Sequence, residues 1–290
     1  MLSPPNPTET VQGIKRMTSQ EMPPSPVLHG LKYGCKRKGS TMTPQSGPGK
    51  MHRRSSEEAV EANLLRKKAT LVLDDGTRFE GRSFGAEESV SGEVVFNTAM
   101  VGYPEALTDP SYRGQILTCT YPLIGNYGVP PADTDDSGLP VFFESESIHI
   151  TALLVSEYSS DSVHWNQEQS LGSWLKQHNI PGLSGIDTRA LTKRIRERGA
   201  MLGKIVFEGT AEEAVPLVDP NLKNLVAEVS IAAPTLYTSQ KEEVRLNKAG
   251  KRMRILAIDC GIKANIIRYF MTRGVELLVV PWDHDVSKEQ

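Results

Sequence analysis

The chain has 290 residues, 38% of them hydrophobic, and a net charge of −2, which is enough length for about two domains. Residues 1–68 carry 12 Lys+Arg against 5 Asp+Glu, while the remainder carries 21 against 30; an acidic body behind a basic tail excludes nucleic acid as the main partner, because phosphate binding needs clustered Lys and Arg. No run of about 20 apolar residues exists to span a membrane, and Cys35, Cys119 and Cys260 are too far apart for metal-ligand spacing, which points to a reducing, cytoplasmic compartment.

Residues 1–50 hold eight prolines among Ser, Thr, Gly and Lys. Such a segment cannot bury enough apolar surface to offset its ordering entropy and reads as disordered. It lacks the apolar stretch of a secretory signal, and its prolines and acidic residues make a poor mitochondrial presequence; a targeting element is the alternative reading. Residues 56–68 (SEEAVEANLLRKK) suggest a short amphipathic helix with Ser56 as N-cap. A disordered basic tail over 1–68 and a first domain over 69–233 follow.

Ala69 to Leu73 reads as a strand, Asp75-Gly76 as a turn and Arg78 to Gly81 as the return strand, a β-hairpin. Further strands are expected at Ser91 to Thr98, Gln115 to Tyr121 and Ile148 to Ser156, the last apolar enough to be buried on both faces. Ser170 to His178 reads as a short helix. Asp187 to Arg198 reads as a helix with Asp187 as N-cap, Leu191 and Ile195 as its apolar stripe, a solvated basic face and Gly199 after its end. Met201 to Phe207 returns as a strand. Residues 234–252 are polar and charged, a linker by composition. Over 253–290 the pattern is a buried strand (Arg254 to Asp259), a helix (Lys263 to Arg273) and a second buried strand (Val275 to Val280), the opening of a parallel α/β domain.

Gly92 to Gly128 (GEVVFNTAMVGYPEALTDPSYRGQILTCTYPLIGNYG) contains more special turns than a core-filling segment needs. With LDDGTRFEGRSFG, PGLSGIDTRALTKRIRERGAMLGKI, DPNLKNLVAEVS, ILAIDCGIKANIIR and VVPWDHD, it resembles the small, glutamine-handling part of carbamoyl-phosphate synthetase, in the form found in multifunctional pyrimidine-pathway enzymes. The resemblance runs from about Ala69 to Gln290. It implies an α+β first domain with layered β/β/α architecture that docks on a synthetase region. The first β-α-β unit of an α/β class I glutamine amidotransferase domain would follow, incomplete in this sequence. In that family a cysteine in a Gly-Ile-Cys-Leu-Gly-His elbow attacks the glutamine amide to form a glutamyl thioester, and ammonia passes through a tunnel to a remote site where ATP has activated bicarbonate. The elbow and the Asn-Gly-Pro-Gly-Asp loop do not occur here and are expected downstream of Gln290. ATP and Mg belong to the synthetase region, so no cofactor and no metal is expected within these residues.

On the residues alone, Asp109-Pro110-Ser111 is ordinary turn chemistry. The resemblance makes Ser111 a glutamine contact, through a hydroxyl able to donate or accept one hydrogen bond, and no catalytic residue is expected within the chain. Gly102-Tyr103-Pro104-Glu105 and Gly125-Asn126-Tyr127-Gly128 are read as backbone-shaping elements beside it. Cys260 follows a strand and precedes a helix, but Asp259 rather than Gly stands before it and no His lies nearby, so it is not assigned as a nucleophile. Cys119 reads as a core or interface residue. In Asp283-His284-Asp285 an extended backbone turns the His away from both carboxylates, which argues against a metal site. His149 and His164 are isolated, and no phosphate-binding glycine motif is present. The expected partners are therefore a synthetase region and glutamine, with neither nucleic acid nor membrane. Residues 1–290 by themselves are expected to lack glutaminase activity. The alternatives are a non-catalytic module that binds a synthetase partner, and the arginine-pathway or urea-cycle form of the same enzyme.

Overall fold

The computed structural model describes residues 65–238 and 244–288. The expected tail, and the helix expected from Ser56, lie outside the described residues up to position 64. Lys68 already belongs to a strand.

Seven strands form a closed barrel: β1 (Lys68–Leu73), β2 (Arg78–Ser83), β3 (Val90–Asn97), β4 (Gln115–Cys119), β5 (Ala152–Val155), β6 (Gly182–Ser184) and β7 (Met201–Phe207), in the order β1-β2-β6-β5-β4-β3-β7. The expected hairpin is β1 and β2, paired from Lys68 with Arg82 to Val72 with Arg78. β3, β4, β5 and β6 run parallel to their neighbours in that series, whereas β7 closes the barrel antiparallel to both β1 and β3.

β5 is wholly apolar, and β4 is apolar at Ile116, Leu117 and Cys119, because both of their faces are covered. Ile116, Ala152 and Leu154 join one core with Leu71, Val94, Ile205 and Phe207. Leu117, Cys119, Leu153 and Val155 join a second core with Phe84, Trp174 and Leu175. Each fully buried Leu or Ile in these cores contributes roughly 2 kcal/mol of transfer free energy. Strands this close leave no room for a side chain at Gly203, where a Cβ would lie 2.6 Å from Val94 Cγ2.

Helix α1 (Tyr103–Leu107) and helix α2 (Leu171–Gln177) border the second core. Helix α3 (Thr188–Arg198) packs Leu191 and Ile195 on the first. Its caps follow the sequence: Asp187 accepts from the Ala190 N–H at 2.9 Å, and Gly199 adopts φ +89°. Arg194 and Arg198 both pair with Asp75 in the β1–β2 turn.

After a short helix α4 (Leu225–Val229), the chain forms a three-stranded sheet of order β8-β10-β9, with β8 at Thr235–Tyr237, β9 at Arg254–Ile258 and β10 at Glu276–Val280. β9, helix α5 (Ala264–Met271) and β10 make the expected parallel β-α-β unit. Two details differ from expectation. Residues 235–237, placed in a linker by composition, form β8 antiparallel to β10. β9 is not a buried strand: Leu256 is 37% and Ile258 49% exposed, because β9 lies at the sheet edge and only its Ile255–Ala257 face packs with α5. Among the described residues no helix is long and apolar enough to cross a membrane.

Candidate functional site

The Gly-rich stretch singled out in the sequence is organised by two tyrosines. Gly102, at φ +87°, is the N-cap of α1. The Tyr127 hydroxyl accepts the N–H groups of Gly102 and Tyr103 at 2.8 and 3.0 Å, and the Tyr103 hydroxyl donates to the Gly128 carbonyl at 2.6 Å. The two rings stack at 4.2 Å. Gly125 is required where it stands: at φ +96°, a Cβ would also fall 2.6 Å from the Ser159 carbonyl oxygen. These motifs thus tie the 102–105 and 125–128 loops together, as their backbone-shaping role implies.

The turn they support carries Ser111. Asp109 caps a single 3-10 turn over Pro110–Tyr112, its Oδ1 accepting from the Ser111 N–H at 2.9 Å. Ser111 itself is exposed. The preceding residue anchors the turn: Thr108 Oγ1 donates to the Pro104 carbonyl and accepts from the Glu144 N–H at 3.0 Å, and the Thr108 carbonyl accepts from Ser145 Oγ at 2.7 Å.

The loop that follows β9 faces this turn. Asp259, buried, accepts from the N–H groups of Gly261 and Ile262 through Oδ1 and of Ile231 through Oδ2. Gly261, at φ +98°, lies so close to the turn that a Cβ there would stand 3.0 Å from the Pro110 Cβ. Lys263 Nζ lies 3.3 Å from Asp109 Oδ2. Beside them runs a cavity of about 380 Å³ whose lining includes Pro110, Glu144, His149, Asp259 and Ile262. This is the crevice at the carboxyl end of a parallel strand, where open α/β sheets bind ligands.

Beside the crevice but outside its lining, Ser111 presents an exposed hydroxyl and the Lys263 cation pairs with Asp109. Burial pushes the Cys119 thiol up to about 12, which keeps it protonated and inert. Cys260 is exposed, on a loop held by Asp259 rather than by a base. Burial, then the nearby Glu144 carboxylate, raises Glu105. His164 sets the edge of its ring against Tyr127, a packing role. Asp283 lies in the turn after β10, which the His284 N–H closes onto the Pro281 carbonyl at 3.1 Å, and Asp285 follows it; no group of three or more His, Cys, Asp or Glu side chains converges as a metal site among the described residues.

Lys263 and Glu144 are the residues that sequence reasoning missed. Lys263 stands inside a quoted motif, but its partner Asp109 is 154 positions away, and no local signal connects them.

Residues 71–205 match the family described as carbamoyl-phosphate synthase small chain, CPSase domain. The chain is 54% identical over 216 residues to the multifunctional protein CAD of Squalus acanthias, covering 74% of this chain and 9% of that protein. It is 49% identical over 241 residues to the multifunctional protein URA2 of Saccharomyces cerevisiae, covering 76% and 11%. It is also 49% identical over 221 residues to the mitochondrial carbamoyl-phosphate synthase (ammonia) of Homo sapiens, covering 76% and 14%. The chain therefore spans roughly a tenth of the length of these curated relatives. A solved aminopeptidase from Aneurinibacillus sp. strain AM-1 aligns at 12% identity over 73% of this chain and 48% of its own, but its TM-score of 0.28 carries no structural argument.

Proposed function

Residues 71–205 are a carbamoyl-phosphate synthase small-chain domain, and from that premise we propose that the chain supplies the N-terminal part of a glutamine-hydrolysing carbamoyl-phosphate synthetase acting in pyrimidine synthesis. In this reading the barrel docks on a synthetase region that brings ATP and Mg, and β9-α5-β10 opens a class I glutamine amidotransferase domain. The crevice between the Ser111 turn and the β9–α5 loop forms one wall of the glutamine site. Ser111 contacts the substrate, and Lys263, 3.3 Å from Asp109, places a cation within reach of the same space. The same reading carries a cytoplasmic location.

The observation that carries this reading is the juxtaposition of Ser111 with the loop at the carboxyl end of β9. A substrate-positioning wall without a nucleophile predicts a specific behaviour. Cys119 is buried and Cys260 is exposed, and the nucleophile elbow does not occur in this sequence, so purified residues 1–290 should release no ammonia from glutamine. Ammonia release abolished by Cys260→Ala would overturn this assignment.

A second reading is the ammonia-using form. It is favoured by the 49% identity to the human relative, close to the 54% shared with CAD. A five-point difference does not separate the two nitrogen donors. Dependence of carbamoyl phosphate formation on glutamine or on free ammonia, in an enzyme carrying residues 69–290, decides between them.

A further inference from the structure

Helix α3 carries five Lys and Arg residues on two faces with different fates. Arg194 and Arg198 share the Asp75 carboxylate. Arg189, Lys193 and Arg196, spaced i, i+4 and i+7, form no ion pair among the described residues and point into a groove of about 390 Å³. No carboxylate lines that groove. Like charges at this spacing repel by a few tenths of a kcal/mol per pair, so the arrangement is one that a bound anion would relieve.

The rest of the lining is hydroxyl: Thr188 and Thr192 from α3, and Thr98 and Thr120 just beyond β3 and β4. Two hydroxyls, one in this lining and one behind it, make no hydrogen bond among the described residues. One is Thr192 Oγ1. The other is Thr118 Oγ1, fully buried on β4. Strand alternation puts Thr118 on the same face as Thr120, one step further in, and Phe96 opposite it continues the face that α3 covers. The uncommitted Thr192 hydroxyl in the lining, with Thr118 behind it, and the unpaired cations are two independent signs of the same ligand chemistry.

We propose that this groove binds a phosphorylated small molecule through its phosphate group. A phosphate offers several acceptor oxygens, which matches guanidinium forks above and hydroxyl donors below. The groove volume is within the range of small-molecule sites. An acidic protein surface would meet only the outer cations and would leave the inner threonines unused.

The test uses the 290-residue chain with labelled threonine methyl groups, titrated at constant ionic strength. Inorganic phosphate is expected to move the signals of Thr98, Thr120, Thr188 and Thr192 saturably. Replacing Arg189 and Arg196 together by Gln should weaken that binding by about a hundredfold, roughly tenfold for each charge-assisted contact. Lys193→Gln alone should weaken it about tenfold. All three side chains are exposed, so unchanged far-ultraviolet circular dichroism separates lost binding from lost folding. No saturable shift with phosphate, or the same shift in the double variant, overturns the proposal. So does a response only to a polyglutamate peptide, which would make the face a protein-docking surface instead.

Discussion

Glu144 and Asn265 are joined by a double hydrogen bond across the crevice: Glu144 Oε2 accepts the Asn265 N–H at 3.1 Å and Oε1 accepts its side-chain amide at 3.0 Å. The Glu144 carbonyl also accepts the Ala264 N–H at 2.8 Å. The residue at the N-cap position of α5, Lys263, makes no capping bond of its own. Glu144, 121 positions away, therefore satisfies the first two amides of the helix, Ala264 through its carbonyl and Asn265 through its carboxylate, and the carboxylate interacts favourably with the helix dipole. Glu144→Ala should cost about 2 kcal/mol, the price of an orphaned amide and a lost cap, with Glu144→Gln losing about half of that. Urea denaturation measures it. An unchanged midpoint for Glu144→Ala would mean that α5 holds its start without the barrel.

Tyr127→Phe removes one oxygen and strands two donors. The Gly102 and Tyr103 N–H groups lose their acceptor, while the ring stack on Tyr103 is kept. The expected loss is about 1–3 kcal/mol, since removing one partner leaves partly buried donors unsatisfied. A change below about 0.5 kcal/mol, the range of neutral surface substitutions, would show that the hydroxyl does not organise the loop.

What could be read from the sequence was what is local. The hairpin at Asp75-Gly76, the Asp187 cap and Gly199 end of α3, and the double-faced apolar run of β5 each follow from residues within a few positions of one another. The Asp109-Pro110-Ser111 turn was equally plain. What faces that turn was not, because Lys263 and Glu144 reach it or α5 through contacts more than 120 positions long. β8 was hidden for another reason. Thr235 and Leu236 are exposed and Tyr237 only half-buried, so the strand exists through backbone pairing with β10 and leaves no apolar pattern. β9 shows the converse: an apolar run suggested burial on both faces, but an edge position leaves alternate residues in solvent.

Ser111→Ala should leave folding intact, because the turn uses the Ser111 N–H rather than its hydroxyl. Its effect is expected on substrate. In a chimera with residues 69–290 replacing the matching segment of yeast URA2, the variant should raise the KM for glutamine about tenfold, the worth of one hydrogen bond to substrate. The rate with saturating ammonia should be unaffected. An equal fall in the ammonia-dependent rate would assign Ser111 to the fold instead.

His149 gives the crevice a pH dependence whose sign follows from its surroundings. Burial, then the Arg113 guanidinium, lowers its pKa, with Asp109 opposing. Ser145 gives its single proton to a backbone carbonyl, so His149 Nε2, 3.0 Å from Ser145 Oγ, acts as donor. Nδ1 is left buried without a partner, and a second ring proton has no acceptor there. The unfolded chain takes up this proton near pH 6.5 while the folded chain does not. Stability is thus unaffected above that pH and falls as pH drops toward the folded value, by at most about 1.4 kcal/mol per pH unit. Three carboxylates act elsewhere. Glu212, lowered chiefly by its hydrogen bond with Arg78, acts with the same sign as Asp75. Asp75, held low by its hydrogen bonds with Thr77 and then by Arg194 and Arg198, loses its contribution only below about pH 3.9. Glu105, raised by burial, has the opposite sign from about pH 4.3 upward. The measurement is therefore the difference between wild type and His149→Gln, whose amide can still donate to Ser145. That difference should be flat above about pH 6.5 and should shift against the wild type as pH falls below it. A difference that stays flat through this range would mean that the histidine titrates as freely in the folded chain as in the unfolded one.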